Sequence, residues 1–170
     1  ARCAFISTDV INSFVRDEII TDNDKYDFFQ SIRTIASDIN NDYKLSKNKF
    51  LKKYGHLRPN TYEISSLNYR EGYKLYFKKD KSIGKNNITK KNFEFSSVQK
   101  NKINLFLKKN KLDISVNKFI FFLKESIRLR EYSKYIFTKN IDMIFTYLKI
   151  IAQKFNIKIE DLSYLKIKKI

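Results

Sequence analysis

Apolar residues recur at three- and four-residue intervals through most of this chain, with polar residues filling the gaps. That period turns one side of each segment toward a core and predicts amphipathic helices. Between Ala4 and Ile20, the residues Phe5, Ile6, Val10, Ile11, Phe14 and Val15 keep the rhythm. Thr21-Asp22-Asn23-Asp24 supplies capping residues for a second helix, in which Phe28, Phe29, Ile32, Ile35, Ala36 and Ile39 run on to the Asn40-Asn41 pair. A short third helix over 46–54 has Ser46 as its cap and Gly55 where a left-handed closing residue is expected. Val98, Ile103, Phe106 and Leu107 mark a fourth, capped by Ser97, and Ser115 opens a long helix through Val116, Phe119, Ile120, Leu123 and Ile127 toward Phe137. A further helix runs from about Asn140 to Phe155, and 158–167 reads as a short helix or turn.

Strict alternation is confined to Thr61–Leu67 and Tyr73–Phe77. The expected class is therefore all-α, about six helices, with a short hairpin after the 55–70 loop as the one alternative element. The pattern contains no internal repeat and no heptad array long enough for a coiled coil. Residues 78–95 form the weakest stretch: 78–92 hold six lysines, one acid, a glycine and paired asparagines. An exposed, mobile, lysine-rich connection is predicted there.

Apolar residues make up 42% of the 170, enough for one helical domain over 1–170. The chain opens on Ala1-Arg2-Cys3 with the helical period already running, which reads as a piece of a larger multidomain protein. One cysteine and one histidine can build neither an internal disulfide nor a four-ligand zinc site, so no metal is expected and a reducing cytoplasm fits best. No uninterrupted apolar run reaches 18 residues, and the fullest, FIFFL at 119–123, is bracketed by lysines, so no membrane partner is expected. The net charge of +17 invites a nucleic-acid reading. Its quality argues against one: 28 lysines against 7 arginines, scattered over nearly every segment, describe solvated faces better than a recognition surface built on arginine forks. The three separated glycines write no phosphate-cradling loop.

One stretch departs from the Lys, Asn, Ile and Phe background. KYGHLRPNTYEISSLNYR, residues 53–70, gathers the sole histidine and sole proline with two arginines, a glutamate and three tyrosines. Pro59 forces Arg58 into extended backbone, so His56 and Arg58 project in similar directions. Two readings stand side by side. In the first, Arg58 and Arg70 grip a phosphate or carboxylate, His56 donates to it and Glu63 orients a cation or amine. In the second, His56 and Arg58 pin the loop to backbone carbonyls and Glu63, with the tyrosines as core. A second polar group, ESIRLREYSKY at 125–135, offers helical ion pairs such as Glu125–Arg128 and Glu131–Lys134.

FLKKYGHLRPNTYEISS, residues 50–66, resembles the Phe-Leu-x-x-Tyr-Gly-His-Leu/Arg-Arg/Gly-Pro-Gly-Thr/Glu-Tyr-Asp-Ile motif of phosphoenolpyruvate synthase-like phosphotransferases. The flanks ARCAFISTDVINSFV, SIRTIASDINNDY, IRLREYSKYIFTKNIDMI and EDLSYLKI follow in the order of the Gly-His-Leu-Arg-Pro branch. The resemblance spans nearly the whole chain apart from 78–95. It departs at Asn60, where glycine is common, and at Glu63, where aspartate is. Such enzymes pass a phosphoryl group from ATP to a carrier histidine and on to an acceptor: pyruvate, rifampin, or the side-chain amide of glutamine in capsule phosphoramidate synthesis.

The resemblance implies that this segment is the helical acceptor-binding region. ATP and magnesium would sit on a separate nucleotide-binding domain, and the carrier histidine on a third. His56 stands in the middle-region motif and not in the Gly-rich Ser-His context of the carrier, so no catalytic residue is expected here. The implied partners are the nucleotide-binding and phosphohistidine domains of the same enzyme and a small-molecule acceptor, L-glutamine being one candidate. His56, Arg58, Tyr62, Glu63, Arg70, Arg130 and Glu131 are the implied acceptor-binding set, and the isolated segment should be inactive. A basic module for nucleic acid or an acidic partner, and a spacer between catalytic domains, are the alternative functions.

Overall fold

The computed structural model describes residues 1–43, 46–77 and 92–164. Among them are eight helices and no strand: α1 (Arg2–Arg16), α2 (Asp22–Ser31), α3 (Ile35–Asp42), α4 (Lys47–Tyr54), α5 (Tyr73–Tyr76), α6 (Ser97–Lys109), α7 (Val116–Lys154) and α8 (Ile159–Leu162). The all-α class holds. In place of the alternative hairpin, 55–72 is a run of turns, and Tyr73–Tyr76 is a single helical turn. Residues 78–91 of the lysine-rich connection lie outside the described residues, while Phe93 and Phe95 at its end pack among core aromatics.

Helix ends differ from expectation where side chains close the backbone without glycine. Thr21 and Asp24 form a reciprocal capping box on α2, and Ser96, one residue earlier than expected, does the same with Gln99 on α6. Ser46 occupies the N-cap position of α4, but its side chain makes no capping bond. The pattern from Asp22 to Asn40 is two helices, because Ile32 is extended and Thr34 and Ser37 exchange backbone-to-side-chain bonds (3.0 and 3.4 Å) that start α3.

Three helices finish on a left-handed non-glycine residue followed by an aliphatic whose amide reaches back five positions. After Glu18 (φ 53°) the Ile19 amide bonds the Phe14 carbonyl, after Lys111 (φ 55°) Leu112 bonds Leu107, and after Asn156 (φ 55°) Ile157 bonds Ala152. The expected break near Asn140 is absent. Thr138 hydrogen-bonds its hydroxyl to the Tyr135 carbonyl (2.8 Å), and no Gly or Pro interrupts the 39 residues of α7.

The chain divides into two compact units: Ala1–Ser37 with Ile88–Tyr132, and Asp38–Asn87 with Ser133–Ile170. The first closes on a hydrocarbon core that includes Ile11, Phe14, Phe28, Ile103, Leu107 and Leu123. Phe14 meets Phe106 edge-on, and Phe28, Phe93 and Phe95 form an aromatic triad. Gln99 ties the two capping boxes together by donating to Asp24 (3.0 Å), whose carboxyl is held below its ordinary range by the Thr21 amide and hydroxyl and then by Gln99. The second unit buries Phe50, Tyr54, Ile64, Tyr135 and Ala152 together with His56, Arg58, Asn68 and Asp142. No helix among the described residues is long and apolar enough to cross a membrane.

Candidate functional site

The rare residues of the 53–70 stretch are organised by α7. His56 and Arg58 do project alike, both toward that helix, and they engage it two turns apart. The His56 Nε2 lies 3.2 Å from the Tyr135 carbonyl, and its ring meets the Tyr135 ring edge-on. A carbonyl only accepts, so Nε2 carries the proton. Burial holds the His56 pKa below its ordinary value, with Lys139 and Arg70 adding to that and the Tyr135 carbonyl and Asp142 opposing it. The ring is therefore neutral at pH 7, with Nδ1 as its acceptor.

Arg58 is the centre of a buried polar network. Its Nη2 pairs with Asp142, its Nη1 donates to the Ser66 carbonyl (3.2 Å), and its guanidinium lies over the Phe145 ring. The Arg58 and Asp142 side chains are only 3% and 11% exposed. Asn68 Nδ2 donates to the same Asp142 oxygen (2.9 Å), while Asn68 Oδ1 accepts the amides of Arg70 and Glu71 and so folds the far end of the loop. Glu71 in turn accepts from Lys149 of α7 (2.9 Å). Burial pushes the Glu71 carboxyl upward, and the Lys149 contact and Asn68 amide outweigh it, leaving the pKa below its ordinary value.

At the loop's entrance, Lys53 and Tyr54 both donate to Asp42 (2.6 and 2.7 Å), and Tyr135 donates its hydroxyl to the Lys53 carbonyl (2.7 Å). Burial drives the Tyr54 hydroxyl up to about 12. Gly55 is not left-handed, as the pattern suggested, but α-helical (φ −59°). It is small because of what lies beside it: a Cβ there would stand 2.4 Å from the Leu51 carbonyl oxygen and 3.3 Å from the Arg70 guanidinium. Arg70 is exposed, closes the loop through its amide to the Gly55 carbonyl (3.2 Å), and has no acidic partner among the described residues.

Tyr62 and Glu63 behave differently. With Pro59, Asn60 and Thr61 they line a cleft of about 490 Å³ whose other wall is Lys134, Phe137 and Thr138 of α7. Tyr62 is 75% exposed at the edge. Glu63 Oε1 accepts the Ser65 amide (3.2 Å) and hydroxyl (2.9 Å), which leaves Oε2 without a partner among the described residues. The Lys134 ammonium likewise has none there. The cleft thus offers one carboxylate oxygen, one ammonium, two threonines and an aromatic wall.

Five of the seven anticipated residues lie in the second unit, where they have different surroundings. His56, Arg58 and Asn68 hold the loop to α7, Tyr62 and Glu63 face the cleft, and Arg70 covers Gly55. Arg130 and Glu131 belong to the other compact unit. There they pair with each other (2.7 Å) in place of the expected Glu131–Lys134 pair, and the Arg130 guanidinium lies over Phe5 of α1. The other expected pair, Glu125 with Arg128, is present (2.6 Å).

Three contributors escaped the sequence reading: Asp142, Asn68 and Lys134 as a cleft residue. Asp142 left a signal, being the one acid between Glu131 and Glu160 in an apolar helix, a position that demands a buried partner. Among the described residues, no group of three or more His, Cys, Asp or Glu is placed to hold a metal ion. The chain matches no protein-family model, no curated protein and no solved structure.

Proposed function

We propose that this chain is the acceptor-binding region of an ATP-dependent phosphotransferase that works through a phosphohistidine relay, as phosphoenolpyruvate synthase-like enzymes do. The observation that carries the reading is local. Part of the 50–66 segment that carries the resemblance, Pro59 to Glu63, forms one wall of the cleft, and the rare residues beside it, His56 and Arg58, brace that wall against α7.

Roles follow from chemistry. Lys134 supplies a cation for an acceptor carboxylate or for charge on the transferring phosphoryl group. Glu63 Oε2 accepts from an amine or hydroxyl, and Tyr62 and Phe137 provide apolar contact. An amino acid such as L-glutamine suits a carboxylate and an ammonium placed across one cleft, because its two backbone charges find opposite partners there. Arg58 and His56 act as positioning residues, and Arg70 is the loop guanidinium with no acidic partner among the described residues. ATP, magnesium and the carrier histidine belong to other domains of the same enzyme.

Titration calorimetry of the 170-residue chain with L-glutamine, pyruvate and hexoses tests the reading. One of these should release binding heat that Lys134→Ala and Glu63→Gln abolish while the melting temperature holds. Absence of heat with every acceptor class, or heat unchanged in both variants, overturns it. The isolated chain should not turn over ATP, and appreciable hydrolysis would refute the division of labour.

A further inference from the structure

The outward side of α7 carries a feature of which the cleft uses only Phe137. Phe137, Ile141, Ile144, Leu148, Ile151 and Phe155 follow one another at intervals of four, three, four, three and four. On one uninterrupted helix this spacing draws a single apolar seam down one side. Met143, Tyr147 and Ile150 widen the seam. Phe137, Met143, Ile144, Tyr147, Ile150, Ile151 and Phe155 are each between 48% and 65% exposed. Tyr135, Asp142 and Ala152 mark the buried side of the helix, and Ile141 and Leu148 at the seam's edge are half-buried. Among the described residues, the exposed part of the seam is surplus to the packing of its own unit.

We infer that this face is a self-association surface, on which α7 of a second copy of the chain lies antiparallel. Seven aromatic or aliphatic side chains, each about half exposed, present roughly 800 Å² of apolar surface, and roughly 800 Å² per partner is what a standard stable interface buries. The charge distribution selects the occupant. A chain of net charge +17 places only four charged residues between 136 and 155, and two of them are spent internally: Asp142 on Arg58, and Lys149 on Glu71. Lys139 lies over the Tyr135 ring. Such a face offers nothing to phosphate or to an acidic protein, and little repulsion to its own copy. Antiparallel pairing keeps the two Lys154 side chains apart and opposes the two helix dipoles, whereas parallel pairing would align both unfavourably.

Sedimentation equilibrium of the 170-residue chain, from about 1 to about 100 µM, tests the inference, since interfaces of this size associate at micromolar concentration or below. The expected result is twice the mass of one chain at the upper end. Ile144→Glu with Ile151→Glu should return it to a monomer, and Leu75→Ser, an exposed apolar residue away from the seam, should leave the dimer intact. Far-ultraviolet circular dichroism should be unchanged in both, because every altered side chain is exposed. In a Cys3→Ser background, a chain with Ile144→Cys should oxidise to one with Leu148→Cys faster than either does to itself. A monomer at every concentration overturns the inference, as does a dimer that survives the seam substitutions, or binding of the monomer to anionic vesicles in its place.

Discussion

The two compact units solve the same problem with opposite chemistry. Among the described residues, Ala1–Ser37 with Ile88–Tyr132 closes on a cluster of eleven buried residues, all of them aliphatic or phenylalanine, and Ser7 is the one polar residue it buries. Asp38–Asn87 with Ser133–Ile170 buries a histidine, an arginine, an asparagine and an aspartate beside its aromatics. Hydrocarbon packing is non-directional and tolerates exchange of one apolar residue for another of similar volume. A buried ion pair demands every partner in place, because the cost of taking charge out of water is recovered only in good geometry. The second unit is thus the more specified of the two, and it is the one that holds the loop wall of the cleft.

Breaking the network should give the largest effect. Asp142→Ala leaves the Arg58 guanidinium buried and unpaired and removes the acceptor of Asn68, so a loss of about 3–5 kcal/mol is expected in chemical denaturation. The double replacement Arg58→Met with Asp142→Leu should recover most of that loss, whereas an independent pair of contacts would give additive losses. In the hydrocarbon unit, Leu107→Ala should cost about 2–5 kcal/mol through the cavity it opens, with no partner substitution able to rescue it.

Acid should discriminate the units next. The His56 pKa is below its unfolded value, so the unfolded chain binds the extra proton. Stability is full above the ordinary histidine pKa of about 6.5 and declines as pH falls from there toward the folded pKa. Glu71, also depressed, adds a further loss at lower pH, once the carboxylate that meets Lys149 takes up a proton. Amide-exchange protection factors, taken against the intrinsic rate at each pH from 7 to 4, should fall first in residues of the second unit; an equal fall in both would contradict the contrast.

The smallest expected effect is a gain. The Ser7 hydroxyl is fully buried and has no hydrogen-bond partner among the described residues, so Ser7→Ala should raise stability by about 1 kcal/mol, visible as a higher melting temperature.

Much of the helical framework could be read from periodicity, since the apolar stripes of α1, α2, α6 and α7 are local patterns and a helix of any length must bury one face. Thr21 could be named as a cap for the same reason: its partner, Asp24, is three residues away. Where elements end was harder. Glu18, Lys111 and Asn156 close helices in a left-handed conformation that glycine normally signals, and Gly55, which carries that signal, is α-helical. The continuity of α7 past Asn140 also escaped the pattern, and with it the seam from Phe137 to Phe155, which exists only if both halves share one axis.

Residue types and their order establish that this chain is helical and that the 53–70 stretch is chemically unlike its surroundings, although Phe5 and Ile6 of the expected buried stripe of α1 are exposed. Those properties follow from spacing along the backbone, which folding does not alter. Only the tertiary structure decided that Arg58 meets an aspartate 84 positions away and that Glu63 faces a cleft shared with Lys134. A side chain's partner is set by which segments are brought within hydrogen-bonding distance. At such separations along the chain, residue spacing carries no trace of that choice.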